Sequence, residues 1–213
     1  MVASGDLVFD IGANLGVRVE IFRGLGARVI AAEPHELCLE TLRRKFADDP
    51  EVVLVPAGLG AEKGEHEFFV SSDIQTSSMS KAWIDSVSGR LDAYTWQERR
   101  MVEITTLDAL IETHGMPVFC KIDVEGFEHQ VLRGLSRPIP CLSLEYTPEH
   151  LAPTMACVDH LASIGPYELN YSAEEDFELA HRAWLSADEL KVELESVRSS
   201  GRSGDVYARL RRQ

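Results

Sequence analysis

A short glycine-containing segment near the amino terminus could bind a positively charged ligand. It runs from Asp10 to Gly16, Asp-Ile-Gly-Ala-Asn-Leu-Gly, and follows the apolar run that begins at Leu7. Glycine permits close approach of a ligand to the backbone, and a helix that begins there offers free N–H groups. The turn contains no basic residue that could meet a pyrophosphate, whereas Asp10 suits an ammonium or sulfonium charge. The alternative is a plain strand-to-helix turn with Asn14 as the cap.

A second acidic residue could bind a ribose. Glu33 lies 23 positions after Asp10, at the end of the run Gly26-Ala-Arg-Val-Ile-Ala-Ala32, and Pro34 then ends the strand. Open α/β sheets bind ligands at the carboxyl edge of their strands, and an acid there can accept hydrogen bonds from two ribose hydroxyls. The G-x-N-x-G spacing of the first segment departs from the G-x-G-x-x-G of dinucleotide sites, so a nicotinamide cofactor is disfavoured.

A third cluster of charged residues follows another apolar run. Lys121, Asp123 and Glu125 alternate with apolar residues in Cys120-Lys-Ile-Asp-Val-Glu-Gly-Phe-Glu128. The period of two can point all three the same way, close enough to shift one another's pKa values. The alternative is an exposed edge with salt bridges, but a central parallel strand has no solvated face, and we therefore favour a functional cluster.

Alternating strands and helices are predicted to position these clusters. The strands are 7–11, 28–32, 52–55, 65–70, 102–105, 118–123, 141–145, 167–171 and 205–210, and the helices are 15–25, 36–46, 107–114, 128–135 and 154–163. Such alternation indicates right-handed crossovers and a parallel sheet. Residues 71–100 are predicted as an insertion or lid, and residues 172–204 as an acidic connection.

Composition narrows the class of protein. The chain has 213 residues, 45% of them hydrophobic, which predicts one soluble domain spanning residues 1–213. The net charge of −14 argues against nucleic acid as a partner. The four cysteines are widely spaced, and no apolar run is long enough for a membrane span, so we expect a cytoplasmic protein without a membrane partner.

Five blocks in the correct order together resemble the FkbM family of S-adenosylmethionine-dependent methyltransferases. The blocks are Phe9-Asp-Ile-Gly-Ala-Asn-Leu-Gly16, Val29-Ile-Ala-Ala-Glu-Pro34, Ser77-Ser78, Thr105-Thr-Leu-Asp-Ala-Leu110 and Lys121-Ile-Asp-Val-Glu-Gly126. The resemblance spans about residues 5 to 146. It implies the class I methyltransferase fold, a Rossmann-like three-layer α/β sandwich whose seven-stranded, mostly parallel sheet has an antiparallel last strand.

The resemblance also implies residue roles and S-adenosylmethionine as the cofactor. By analogy, Asp10, Gly12, Asn14 and Gly16 hold the methionine end, Glu33 the ribose, Ala57-Gly58-Leu59 the adenine and Asp123 the amino group, with Ser77 and Ser78 nearby. The predicted cofactor-binding set is Asp10, Gly12, Ala13, Asn14, Gly16, Glu33, Pro34, Gly58, Leu59 and Asp123. Family members usually carry a helical segment before the first strand, whereas this strand begins almost at once.

Methyl transfer needs an aligned nucleophile and a base that removes its proton. The predicted catalytic residues are Glu125, Asp123 and His129 as candidate bases and Lys121 as their electrostatic partner, with His150 a further candidate base. His129 could lie near Glu125 at a helix start, or simply be a surface histidine. Asp123, Glu125, Glu145 and His150 could hold a divalent metal such as Mg²⁺, which we do not favour.

The predicted function is O-methylation of a hydroxyl on a small metabolite or sugar. The alternatives are a non-catalytic or partner-dependent cofactor-binding module and, less favoured, a nicotinamide-dependent oxidoreductase. The sequence does not identify the acceptor, and it leaves a homo-oligomer open.

Overall fold

The computed structural model describes residues 2–173 and 178–211, which form two sheets and seven helices. The strands are β1 (Leu7–Ile11), β2 (Arg28–Ala32), β3 (Val52–Val55), β4 (Gly58–Leu59), β5 (Gly64–Val70), β6 (Glu98–Thr105), β7 (Phe119–Ile122), β8 (Cys141–Tyr146), β9 (Tyr167–Ala173) and β10 (Gly204–Leu210). The helices are α1 (Val17–Gly24), α2 (Glu36–Lys45), α3 (Lys81–Val87), α4 (Leu107–His114), α5 (Glu128–Arg133), α6 (Leu151–Ile164) and α7 (Ala187–Val197).

The larger sheet has seven strands in the order β3-β2-β1-β7-β8-β10-β9. The pairs β1 with β2, β2 with β3, β1 with β7 and β7 with β8 are all parallel. β10 lies between β8 and β9 and is antiparallel to both. This arrangement confirms the predicted class I methyltransferase sheet with its antiparallel last strand.

Helices cover both faces of this sheet, because its strands are apolar on both sides. In β1, Phe9 and Ile11 join the large core with α4, α5, α6 and α7, while Val8 faces the opposite side with α1 and α2. Such two-sided burial is typical of parallel sheets. The result is the three-layer sandwich that the family resemblance implied. None of the helices in the described ranges is long and apolar enough to cross a membrane.

A smaller sheet of β4, β6 and β5 lies beside the larger one. β5 and β6 pair antiparallel. The chain segment that connects them contains helix α3, and a β-bridge joins Ser78 of this segment to Phe69 of β5. The strand predicted at 102–105 begins earlier, at Glu98, so the end of the predicted insertion is regular sheet. The insertion is therefore attached to the fold at both ends by backbone hydrogen bonds.

The segment predicted as an acidic connection contains a helix, so that prediction was wrong for residues 187–197. Ser186 begins α7 with a capping box, in which its hydroxyl accepts from the Glu189 amide and the Glu189 carboxylate accepts from the Ser186 amide. Leu190 and Leu194 are buried in the large core. Residues 174–177 of the same segment lie outside the described residues.

Candidate active site

A cavity lies at the carboxyl ends of β1, β2 and β7, and it unites most of the residues predicted to bind the cofactor. Gly12, Asn14, Glu33, Pro34, Gly58, Leu59 and Asp123 line it. Glu125 lines it as well, next to Asp123 and Val124. Three strand ends that are far apart in the sequence therefore meet at one place, as the crossover topology requires.

Three members of the predicted set lie behind this lining. Asp10 is fully buried, and Ala13 and Gly16 support the turn without bordering the cavity. Gly16 precedes α1 with a φ of 83°, and a Cβ there would lie 2.7 Å from the Leu42 side chain. The structure thus assigns Gly16 a packing role against α2, because only glycine fits this conformation in this space.

The turn after β1 approaches the turn after β7 very closely at Gly12. Its φ is 83°, and a Cβ at this position would lie 1.8 Å from the carbonyl oxygen of Asp123. The amides of Gly12 and Ala13 both donate to the Ala32 carbonyl oxygen, at 2.9 and 3.1 Å. These two N–H groups therefore connect the turn to the end of β2 and are not free. The expectation that the turn offers free donors does not hold for them.

Glu33 is fixed by backbone amides of the two neighbouring turns. Its Oε2 accepts from the Asn14 amide at 2.8 Å, and its Oε1 accepts from the His35 amide at 2.7 Å. Burial raises the pKa of Glu33 to about 7, although these two hydrogen bonds oppose the shift. Each carboxylate oxygen has a second lone pair, so Glu33 can still accept from a ligand.

Asp10 is a buried carboxylate whose oxygens accept no hydrogen bond from residues 2–173 or 178–211. Burial raises its pKa to about 6, while the positive charge of Lys121 opposes that shift. Buried polar groups are almost always satisfied, so this orphaned carboxylate, which lies behind the cavity lining, is an exception in the fold.

Three carboxylates cluster at the ends of β7 and β8. Ligand atoms of Asp123, Glu125 and Glu145 all lie within 4.8 Å of one another. Burial raises the pKa of both Glu125 and Glu145, and the nearby negative charge of Asp123 raises them further. The three could geometrically accommodate a divalent cation, whereas His150, the fourth suggested ligand, is not a member of this group.

Lys121 supplies positive charge behind the carboxylates. It is buried, and its Nζ donates to Oδ2 of Asp123. Burial alone would lower the pKa of Lys121, but the charges of Asp123 and Asp10 outweigh it and raise that pKa. The predicted electrostatic role of Lys121 therefore has its geometric basis in a direct ion pair with Asp123.

The structure does not bring His129 to the carboxylate cluster. Glu125 has a φ of 54° in the turn before α5, so Glu125 and His129 do not share one helix face. Burial lowers the pKa of His129, and the nearby positive charge of Arg133 lowers it further. The i, i+4 spacing that suggested a Glu125–His129 pair is cancelled by this left-handed turn.

Sequence reasoning missed Glu128. Its Oε1 accepts from the amides of Val124 and Gly126, at 3.1 and 3.2 Å, and so holds the turn that carries Glu125. Burial raises the pKa of Glu128 to about 7. An acid in the first turn of a predicted helix, just after a glycine, is the available signal for such a role.

Ser77 of the recognised blocks also lines the cavity, and further lining residues come from outside these blocks. Phe68 from β5 and Met79 border the cavity, as do His35 and Cys38 from the turn before α2 and its first turn. His35 and Phe68 meet edge to face with ring centroids 5.8 Å apart. None of these lies in a recognised motif, and the place of Phe68 in the site depends on how the smaller sheet packs beside the larger one.

Comparisons with known proteins agree with this geometry. Residues 10–179 match the family described as the methyltransferase FkbM domain. A methyltransferase FkbM from Methylobacillus flagellatus KT has a similar structure, with a TM-score of 0.60, 17% identity, and coverage of 98% of this chain and 44% of that one. A precorrin-6y C5,15-methyltransferase from Geobacter metallireducens GS-15 matches with a TM-score of 0.51 and 10% identity, over 98% of this chain and 82% of that one.

One curated relative is similar over a shorter region. The C-methyltransferase NovU of Streptomyces niveus is 38% identical over 64 residues, which are 30% of this chain and 14% of NovU. The chain therefore corresponds to less than half of the length of both NovU and the M. flagellatus protein. Because the family match extends across 170 of the 213 residues, from 10 to 179, the chain belongs to the FkbM methyltransferase domain family.

Proposed function

We propose that the chain is an S-adenosylmethionine-dependent methyltransferase that methylates a hydroxyl of a small metabolite or sugar. The observation that carries the proposal is that three groups of residues border one cavity. The first group is Gly12 with Asn14, the second is Glu33, and the third is Asp123 with Glu125. A cofactor held along the first two groups would extend its reactive end toward the third.

The charges around the cavity favour this cofactor over a dinucleotide. Among the described residues that line it there is no Lys or Arg, while Glu33, Asp123 and Glu125 are acidic. A pyrophosphate would meet carboxylates there, whereas the ammonium and sulfonium of S-adenosylmethionine would be attracted. The two free lone pairs of Glu33 suit the ribose hydroxyls, and the negative charge of Asp10, which is buried behind the Gly12 turn, would attract the ammonium without touching it.

The carboxylates at the ends of β7 and β8 support proton removal from the acceptor. Their raised pKa values make Glu125 and Glu145 stronger bases than ordinary carboxylates, which improves the match to a hydroxyl whose proton leaves during transfer. Glu125 is the base that we propose, because it also lines the cofactor cavity. Lys121 donates to Asp123 and so holds this carboxylate in place beside Glu125.

The transfer balances without any other reactant. The hydroxyl oxygen attacks the methyl carbon in line as the carbon–sulfur bond breaks, and the electron pair of that bond stays on sulfur. The hydroxyl proton goes to Glu125, and the products are a methyl ether and S-adenosylhomocysteine. The chain has only to align the two reactants and accept the proton.

Calorimetric titration tests the cofactor first. Purified protein is titrated with S-adenosylmethionine, S-adenosylhomocysteine and NADH, and the titrations are repeated with Glu33→Ala. Glu40→Ala is the control, because Glu40 is exposed on α2 of the same chain. We expect the first two ligands to bind wild type and the control but not Glu33→Ala. Binding of NADH alone would contradict the proposal and favour an oxidoreductase.

An acceptor screen then tests the reaction. Methyl-labelled S-adenosylmethionine is incubated with hydroxylated metabolites and sugars, and the product is analysed by NMR to identify the methylated atom. We expect an O-methyl product whose formation falls about 10²-fold or more in Glu125→Gln while cofactor affinity is kept. A methyl group on carbon would refute O-methylation. Cofactor binding without transfer across the screen would instead favour a non-catalytic module.

A further inference from the structure

Glu125 adopts a backbone conformation that its own residue type disfavours. Its φ is 54°, and in the described part of the chain only one other non-glycine residue, Asn14, has a positive φ. Asparagine tolerates the left-handed region, whereas glutamate is destabilised there because its Cβ lies too close to the following carbonyl oxygen. Contacts from the surroundings must therefore hold the turn in place.

One of those contacts comes from a residue 47 positions earlier in the sequence. The Ser78 hydroxyl donates to the carbonyl oxygen of Glu125 at 2.6 Å, and the same Oγ accepts from the Ser80 amide at 2.8 Å. Ser78 is 1% exposed, so water does not compete for this bond. A short bond without competition from water fixes the orientation of the peptide that follows Glu125.

Ser78 is itself fixed by the smaller sheet. Its amide donates to the Phe69 carbonyl oxygen at 3.1 Å, and its own carbonyl oxygen accepts from the Phe69 amide at 2.8 Å. This bridge ties Ser78 to β5. The position of the Ser78 hydroxyl is thus set by the sheet packed beside the cavity, not by a free loop.

The other side of the turn is held as well. Glu128 binds the Val124 and Gly126 amides, and a Cβ on Gly126 would lie 2.3 Å from the Trp83 side chain. Trp83 in turn donates to Thr147 at 3.0 Å. The backbone around Glu125 is thus bonded or packed, whereas its carboxylate remains directed to Asp123 and Glu145.

We infer that Ser78 is a positioning residue for methyl transfer, holding Glu125 in the left-handed turn that places its carboxylate among Asp123 and Glu145. The inference rests on the proposed function, in which Glu125 removes the acceptor proton. Ser78 does not border the cavity, so it acts on the reaction through Glu125 and not by touching either reactant.

NMR of the unliganded chain tests the structural part of the inference, that Ser78 holds Glu125 in the left-handed conformation. The Cα and Cβ chemical shifts of Glu125 report its backbone conformation and need neither cofactor nor acceptor. We expect Ser78→Ala to move them away from left-handed values and Ser88→Ala to leave them unchanged. Ser88 is the matched control because its exposed hydroxyl also donates to a backbone carbonyl, that of Asp85. Identical Glu125 shifts in wild type and Ser78→Ala would overturn the inference.

Kinetic measurements with the acceptor found in the screen test the catalytic part of the inference, that Ser78 supports methyl transfer through Glu125. We expect Ser78→Ala to lower kcat about ten- to a hundredfold, as misplacement of a catalytic group does, while KM for S-adenosylmethionine changes less than about twofold. In the Glu125→Gln background, Ser78→Ala should lower kcat no further, because both changes remove one function. An equal loss in both backgrounds would mean a general structural role and would overturn the inference.

Two further comparisons separate a failure of the inference from a failure of the proposed function or of folding. If Glu125→Gln retains wild-type kcat, the proposed base is refuted and the catalytic part falls with it, while the NMR result still decides whether Ser78 holds the turn. If Ser78→Ala does not fold, Ser78→Cys keeps nearly the same volume with a weaker donor. The same NMR and kinetic comparisons then apply to Ser78→Cys, and wild-type behaviour of that variant would overturn the inference.

Discussion

The raised pKa of Glu33 predicts that cofactor affinity depends on pH near neutrality. Burial raises this pKa from an ordinary 4.5 to about 7, so a large part of the unliganded chain carries a protonated Glu33 below neutral pH. Ribose hydroxyls donate hydrogen bonds, and a carboxylate accepts them better than a carboxylic acid does. Affinity for S-adenosylhomocysteine should therefore fall as the pH falls through 7.

The magnitude follows from the ionised fraction. With a pKa of about 7, about nine-tenths of Glu33 is ionised at pH 8 and about one-tenth at pH 6, so Kd should rise about tenfold between them. The measurement ends at pH 6 because Asp10, with a pKa raised to about 6, is about half protonated there and adds at most about a twofold rise in Kd at that end. The stability of the unliganded chain should depend on pH in the opposite direction to the affinity. Because the folded-state pKa is the higher one, the Glu33 contribution to the free energy of unfolding is present below 4.5 and is lost as the pH rises through 7.

Calorimetry with S-adenosylhomocysteine at pH 6, 7 and 8 measures this slope. Glu33→Gln should bind weakly and lose the tenfold slope, keeping at most the twofold part that comes from Asp10, while Glu40→Gln should keep the wild-type slope. A wild-type Kd that is equal at pH 6 and pH 8 would mean that Glu33 is fully ionised in the free chain. A full wild-type slope that persists in Glu33→Gln would assign it to another group. Either result would refute the burial argument.

Three other changes have definite expected outcomes. Gly12→Ala should abolish S-adenosylhomocysteine binding in calorimetry, because its Cβ would lie 1.8 Å from the Asp123 oxygen; wild-type affinity would contradict the close packing of the two turns. Lys121→Met should lower the free energy of unfolding in urea at pH 8 by about 3 kcal/mol, because the buried Asp10 and the partly exposed Asp123 lose their positively charged neighbour. Lys81 is exposed, so Lys81→Met should lower the free energy of unfolding by less than about 0.5 kcal/mol. Equal losses of stability in the two variants would contradict the prediction. EDTA should leave turnover unchanged, because Lys121 already supplies a positive charge at the cluster; activity restored only by Mg²⁺ would show a metal site instead.

The sequence predicted the larger sheet well because its strands and helices have distinct periods. Short apolar runs followed by amphipathic helices have few topological solutions once crossovers are right-handed. It could not show that β4, β6 and β5 form a separate sheet, since pairing partners leave no local signal. Helix α7 was missed because its many charges obscured the apolar pair Leu190 and Leu194, although Ser186 and Glu189 already had the spacing of a capping box.

The site was predictable where a residue follows a strand and not where a turn intervenes. Glu33 and Asp123 reach the cavity because the carboxyl ends of parallel strands share one edge. The predicted proximity of His129 to Glu125 assumed helical geometry, which the left-handed Glu125 interrupts. Ser78 and Glu128 matter through bonds to backbone atoms, and a sequence does not reveal which carbonyl or amide a side chain will meet.

The buried acids fall into two groups that differ in how the fold compensates them. Glu33 and Glu128 each accept two backbone amides, which stabilise a charge that burial disfavours. Asp10 accepts no hydrogen bond within the described ranges, and the pKa values of Glu125 and Glu145 are raised by burial and neighbouring charge. Burying a polar group without a partner lowers stability, so a fold keeps such groups where a ligand completes them. In the second group we expect Glu125, which lines the cavity, to receive the acceptor proton, whereas Asp10 lies behind the lining and would act on a bound ammonium through its charge.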